Sequence, residues 1–130
     1  MIFLDTNTVI HYLRGKESVV SRLQATSRRE LAIPSVVAYE IEYGMLKSGS
    51  ERGKSLVSGL LRDLKEVPFD QEAARESARI RLDLETRGVM IGPMDLLIAG
   101  SAVSHGAVLV TSNTKEFSRV KNLRVLDWTE

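Results

Sequence analysis

The chain has 130 residues, enough for one compact domain and too few for two full-sized ones. Its 43% hydrophobic and 27% charged residues suit a globular chain that buries a core, and the net charge of +1 excludes a strongly basic nucleic-acid coat. Cysteine is absent, which excludes disulfide scaffolds, thiolate zinc sites and cysteine nucleophiles and agrees with a reducing compartment.

Met1 to Leu4 is a short apolar run followed by Asp5-Thr6-Asn7-Thr8, which reads as a buried strand ending in a polar loop. That run is far shorter than a secretory signal core, and no apolar stretch approaches the roughly 18 residues of a spanning helix. The expected location is therefore the cytoplasm, with no membrane association. Val9 to Leu13 suggests a short helix closed by Gly15, and Ser18 to about Ala25 a second one. Leu31-Ala32-Ile33 reads as a strand ended by Pro34. Ser35 is the expected cap of a helix over Val36 to Lys47, with Gly49 at its far end.

Leu56, Val57, Leu60, Leu61 and Leu64 form the stripe of an amphipathic helix. Val67 suggests a brief strand, and Asp70 caps a long helix that ends at Gly88. Gly92-Pro93 opens a helix over Met94 to Ser104 that is apolar on nearly every side and so is expected to be buried. Ala107 to Val110 is the clearest strand, and Arg124 to Leu126 the last. Short apolar strands alternating with helices predict a three-layer α/β/α domain over residues 1–130, with a short, mainly parallel central sheet.

Ligands of such sheets bind at the carboxyl ends of the strands. Asp5 follows the first strand, and Thr111, Ser112, Asn113 and Glu116 follow the 107–110 strand. Glu40 shares a helix face with Val36, Val37, Ile41 and Gly44, the stripe expected to pack inward, whereas Glu42 projects to solvent. Asp95 sits in a helix almost without a polar face. Plainer roles stay open for each acid: a turn or cap for Asp5, a helix-dipole partner for Asp95, a buried arginine's partner for Glu40, a loop acid for Glu116. No Lys or Arg is adjacent to Asp5, Glu40 or Asp95, however. Carboxylates gathered within about 5 Å repel by roughly 3 kcal/mol per pair at an effective dielectric near 20. A divalent cation removes that penalty, and hard oxygen donors favour Mg²⁺ or Mn²⁺ over zinc.

The remaining chemistry is sparse. His11 and His105 lack metal-ligand spacing, and there is neither a nucleophile elbow nor a glycine-rich nucleotide loop. Arg14, Lys16, Lys47, Lys115, Arg119 and Lys121 are candidates for a substrate groove or for plain solvated surface.

Four segments carry a resemblance. Phe3-Leu4-Asp5-Thr6-Asn7 resembles the opening of PIN domains, and Ser35 to Gly44 resembles the second motif of VapC toxins. Ile91 to Ala99 and Val108 to Phe117 resemble the third and fourth, in matching order and spacing. The resemblance implies a Mg²⁺- or Mn²⁺-dependent ribonuclease, the toxin of a bacterial type II toxin–antitoxin pair. It places metal-binding, catalytic acids at Asp5, Glu40 and Asp95. A fourth falls on Glu116, because Asn113 stands where many relatives carry aspartate, and this departure leaves a second metal open. Thr6, Asn7, Thr111 and Asn113 are the implied hydrogen-bonding supports of these acids.

The implied partners are an antitoxin protein that occupies the active-site groove, a second copy of the chain, and promoter DNA reached only through the antitoxin. The implied substrate is RNA, the fourth motif and C-terminal segment resembling members that cut initiator tRNA. Two other readings remain: an inert RNA- or protein-binding module, and a small-molecule phosphohydrolase with Asp5 as nucleophile. The latter is disfavoured because its second aspartate would fall on Asn7.

Overall fold

The apolar runs become strands because buried backbone must pair, and each run finds a parallel neighbour. A computed structural model describes residues 1–130. In chain order the elements are β1 (Ile2–Leu4), α1 (Thr6–Leu13), α2 (Glu17–Ala25), β2 (Leu31–Pro34), α3 (Ser35–Ser48), α4 (Glu51–Asp63), β3 (Lys65–Val67), α5 (Gln71–Arg87), α6 (Pro93–Ser104), β4 (Val108–Val110), α7 (Thr114–Phe117) and β5 (Arg124–Leu126). The strands form one sheet in the order β3-β2-β1-β4-β5, every pair parallel, with helices flanking it. The expected α/β/α architecture is the one observed.

Phe3, Leu4, Leu31, Ile33, Leu109 and Val110 are fully buried in the centre of the sheet. The chain lays strands outward from β1 to β3 on one side, then returns to place β4 and β5 on the other. The strand order therefore reverses between β1 and β4. A crevice at such a reversal, beyond the carboxyl ends of the strands, is where open α/β sheets bind ligands.

α6 is the buried helix that its composition predicts: Leu96, Ile98, Ala99, Gly100, Ser101 and Ala102 are all enclosed. It lies against α5 so closely that Gly100 faces Ser77 with no room for a side chain. α5 begins as expected, with Asp70 Oδ1 accepting from the Ala73 N–H at 2.9 Å, and ends at Gly88 with φ of 67°. Replacing Asp70 by Ala is expected to cost about 1 kcal/mol by thermal or urea unfolding, the usual value of a lost cap.

Four local expectations are corrected. α1 starts at Thr6 rather than Val9, because Asp5 accepts from the Thr6 N–H at 2.8 Å and lets the polar segment enter a helix directly. Ser35 is not a cap: Pro34 holds that position, and the Ser35 hydroxyl donates to Glu66 Oε2 at 2.7 Å. Gly44 is exposed rather than inward-facing, because the buried side of α3 ends at Ile41 and most of the following residues lie in solvent. Finally, residues 114–117 form the short helix α7, anchored by fully buried Phe117, where a loop was expected.

Candidate active site

The sheet itself joins the first and fourth segments. Leu4 lies opposite Val110, and the Asp5 N–H donates to the Val110 carbonyl at 2.9 Å, so both chains leave the sheet at one edge. Asp5 is buried there at 3% exposure. Its Oδ1 accepts from the Thr6 N–H; its Oδ2 accepts from Thr111 Oγ1 at 2.6 Å and from Asn7 Nδ2 at 3.1 Å. Asn7 also ties the two loops together, its Oδ1 accepting from the Ser112 N–H at 3.0 Å. Asp5 is thus both a helix cap and a member of the acid cluster.

Glu40 arrives from α3. It is half-buried, and Thr6 Oγ1 donates to its Oε1 at 2.6 Å. Asp95 stands in the first turn of α6, and Glu116 in α7. Asn113 Nδ2 donates to Glu116 Oε2 and reaches Asp95 Oδ2 at 3.4 Å, while the Gly92 N–H donates to Glu116 Oε1 at 3.1 Å. The Asn113 N–H donates to Thr111 Oγ1 at 3.0 Å. All eight residues singled out from the sequence therefore meet at one edge.

None of these four acids has a basic partner. The ion pairs of the protein join surface residues elsewhere. Burial raises the carboxyl of Asp5 above its usual range, against the hydrogen bonds from Thr111 and Thr6, and the charge of Glu40 adds to the rise. Asp95 is pushed up to about 7, first by burial, then by its hydrogen bond to Glu116 and the charges of Asp5, Glu116 and Glu40. Glu116 is held low, chiefly by the hydrogen bond from Asp95, then by Asn113, the Gly92 N–H and the charge of Arg119. The two carboxyls are thus pushed apart, Asp95 up and Glu116 down. A group of acids that takes up a proton near neutrality is a functional-site signature.

No three acids close on one point tightly enough to grip an ion as the side chains stand. Each outer acid is turned to a nearby donor instead, Glu40 to Thr6 and Glu116 to Gly92 and Asn113. Asn7 donates to Asp5, so the position a phosphohydrolase would need for its second aspartate is a support of the first. Two of the basic groove candidates are committed elsewhere: Arg119 Nη1 donates to the Met90 carbonyl at 2.9 Å, and Lys121 pairs with Asp83 at 3.4 Å. The backbone amides of Gly92 and Ser112 were not legible as parts of the site, since any residue but proline supplies one.

Residues 2–123 match the family model described as the PIN domain. The chain is 38% identical over 127 residues to the tRNA(fMet)-specific endonuclease VapC of Salmonella typhimurium, covering 96% of each chain. This chain belongs to the VapC family of PIN domains. Another VapC relative, ribonuclease VapC2 of Rickettsia felis, is 34% identical over 128 residues, again covering 96% of both. The fold matches a chain in the crystal structure of VapBC2 from Rickettsia felis bound to a promoter DNA fragment, with a TM-score of 0.91, 34% identity and coverage of 98% and 99%. DNA-bound VapBC from Salmonella typhimurium gives a TM-score of 0.91 at 36% identity, covering 98% and 97%. The VapC family expected from the four motifs and the α/β/α fold expected from the alternating strands and helices are both upheld, and no helix is long and apolar enough to cross a membrane.

Proposed function

We propose that this chain is an endoribonuclease toxin of a type II toxin–antitoxin pair, one nuclease domain over residues 1–130 that hydrolyses RNA phosphodiesters with Mg²⁺ or Mn²⁺. The observation that carries the reading is the gathering of Asp5, Glu40, Asp95 and Glu116 at the strand-order reversal, with none of them in an ion pair. The donor set fits a hard divalent ion: it is all oxygen, and burial and mutual repulsion raise the carboxyls of Asp5 and Asp95, a cost that a cation would offset. Asp5 and Asp95 are the principal ligands in this reading, with Glu40 and Glu116 completing the set. When bound, such an ion supplies charge compensation to the phosphodiester and lowers the pKa of water.

The chain's own residues supply position. Thr111 and Asn7 fix Asp5, Thr6 fixes Glu40, and Asn113 spans Asp95 and Glu116. Glu40 orients the attacking water. Water adds to phosphorus as one P–O bond breaks, and the leaving oxygen is released with a proton.

The relatives support the finer assignments. One is called tRNA(fMet)-specific, and solved relatives are VapBC assemblies on DNA. We assign to this chain an initiator-tRNA substrate, a cognate antitoxin that covers the site, a homodimeric toxin, promoter DNA contacted only through the antitoxin, and action in the cytoplasm. The substrate is tested by incubating the protein and Mn²⁺ with initiator and elongator tRNAs and sequencing the new ends. One dominant cut in initiator tRNA is expected. Equal cutting of all tRNAs would overturn the substrate assignment.

A further inference from the structure

We propose that Arg119 is a positioning residue that sets where Asp95 stands by clamping the loop between α5 and α6. The proposal rests on the nuclease reading above for its kinetic consequence, but not for the clamp itself. Asp95 lies three residues after Gly92, in the first turn of α6, so residues 89–92 lead directly into the turn that carries its carboxylate. That loop is held from outside. Arg119 Nη1 donates to the Met90 carbonyl at 2.9 Å, and the Gly92 N–H donates to Glu116 Oε1 at 3.1 Å.

The two grips belong to one turn of chain. The Arg119 N–H donates to the Glu116 carbonyl at 3.1 Å, so Arg119 and Glu116 move together. The same turn is braced from the other side. Arg87, the last residue of α5, donates from Nη2 to the Arg119 carbonyl at 2.6 Å, and its Nε donates to Asp83 Oδ2 at 3.0 Å. The end of α5, the loop and the segment after β4 are thus tied together by hydrogen bonds through Arg119. Arg119 provides the contact that fixes Met90. Its guanidinium is turned to a backbone carbonyl and is in no ion pair, unlike the helix-surface arginines 75, 79 and 81, although its charge also helps to hold the Glu116 carboxyl low. A cation aimed at RNA has no need of that arrangement; a brace does.

The test uses the full chain with Arg119→Ala and Arg119→Lys. Arg119→Ala is expected to lower kcat by about 10- to 100-fold, the scale seen when a residue that orients a site ligand is lost, with KM within about twofold. Arg119→Lys, which keeps one donor of similar reach, is expected to recover part of kcat. Hydrogen exchange supplies a readout independent of cleavage: the Gly92 amide should exchange faster in Arg119→Ala, while the amides of β1 keep their protection and show that the fold survives. A raised KM with kcat and Gly92 protection unchanged would make Arg119 an RNA contact and overturn the proposal. So would unchanged exchange at Gly92 in Arg119→Ala. If the wild-type protein cuts no RNA, the nuclease reading fails, and exchange at Gly92 alone still decides the clamp.

Discussion

Asp95→Asn is expected to lower RNA cleavage by at least about 100-fold, the scale of losing one preorganised electrostatic group at a reaction centre, while making the metal-free protein more heat-resistant at pH 8. The two effects share a cause. Burial and three neighbouring acids push the Asp95 carboxyl up to about 7, so its charged form is the unfavourable one. The stability this group contributes is fully present below its unfolded pKa near 3.8 and is lost as pH rises to its folded pKa near 7. Asparagine cannot ionise and escapes that loss. Its amide also offers Glu116 a donor where protonated Asp95 offers one.

The Tm gap between variant and wild type should therefore be largest at pH 8, narrower at pH 5.5 and nearly closed at pH 4. The lowered pKa of Glu116 acts in a separate window, since its contribution is lost only as pH falls below about 4.5. Mn²⁺ should raise the wild-type Tm at pH 8 more than that of the variant, because only the wild type has this charge to compensate. A gap that does not change between pH 5.5 and 8, or a variant less stable at pH 8, would contradict the charge account of the cluster.

Gly100→Ala is expected to damage folding severely. A Cβ at Gly100 would stand 1.9 Å from Ser77 Oγ and 2.8 Å from both Ser77 Cβ and the Ser77 backbone nitrogen. A side-chain tip can rotate away, but a helix backbone cannot. α5 and α6 would have to separate along a fully buried contact. The cost should reach or pass the upper end of the usual overpacking range of about 1–3 kcal/mol, lowering Tm by roughly 10 °C or preventing folding. Adding Ser77→Gly removes the two side-chain clashes and leaves the backbone one, so the double variant should recover part of the loss. A Gly100→Ala protein as stable as wild type would show that the two helices do not approach this closely.

The fold was legible where one force dominates. Buried strands such as Leu31–Pro34 and Val108–Val110 read as apolar runs because both faces of a parallel sheet are covered. Asp70 and Gly88 were legible as helix ends because caps need particular side chains. Asp5, Glu40 and Asp95 stood out because acids beside apolar stripes without basic neighbours demand a reason. Resemblance to VapC then fixed their grouping, which no spacing along the chain reveals.

What was not legible depends on contacts between segments far apart in sequence. Ser35 has a capping residue's composition, but tertiary structure brings Glu66 to it. The start of α1 was misplaced because Thr6 and Asn7 are weak helix formers, and the cap from Asp5 overrides them. The brace at Met90 and Gly92 uses backbone groups, which carry no residue-type signal. Arg119 accordingly looked like one more surface cation.

The central claim is that the acids at the β1–β4 edge are a metal-dependent nuclease site. Its most direct test is cleavage of a small-RNA pool by purified wild-type protein and by Asp5→Ala, each with Mn²⁺ and with EDTA. Discrete cuts by the wild type with Mn²⁺, lost both with EDTA and in the variant, are the predicted result. Cleavage that persists in Asp5→Ala, or that is indifferent to the chelator, would contradict it.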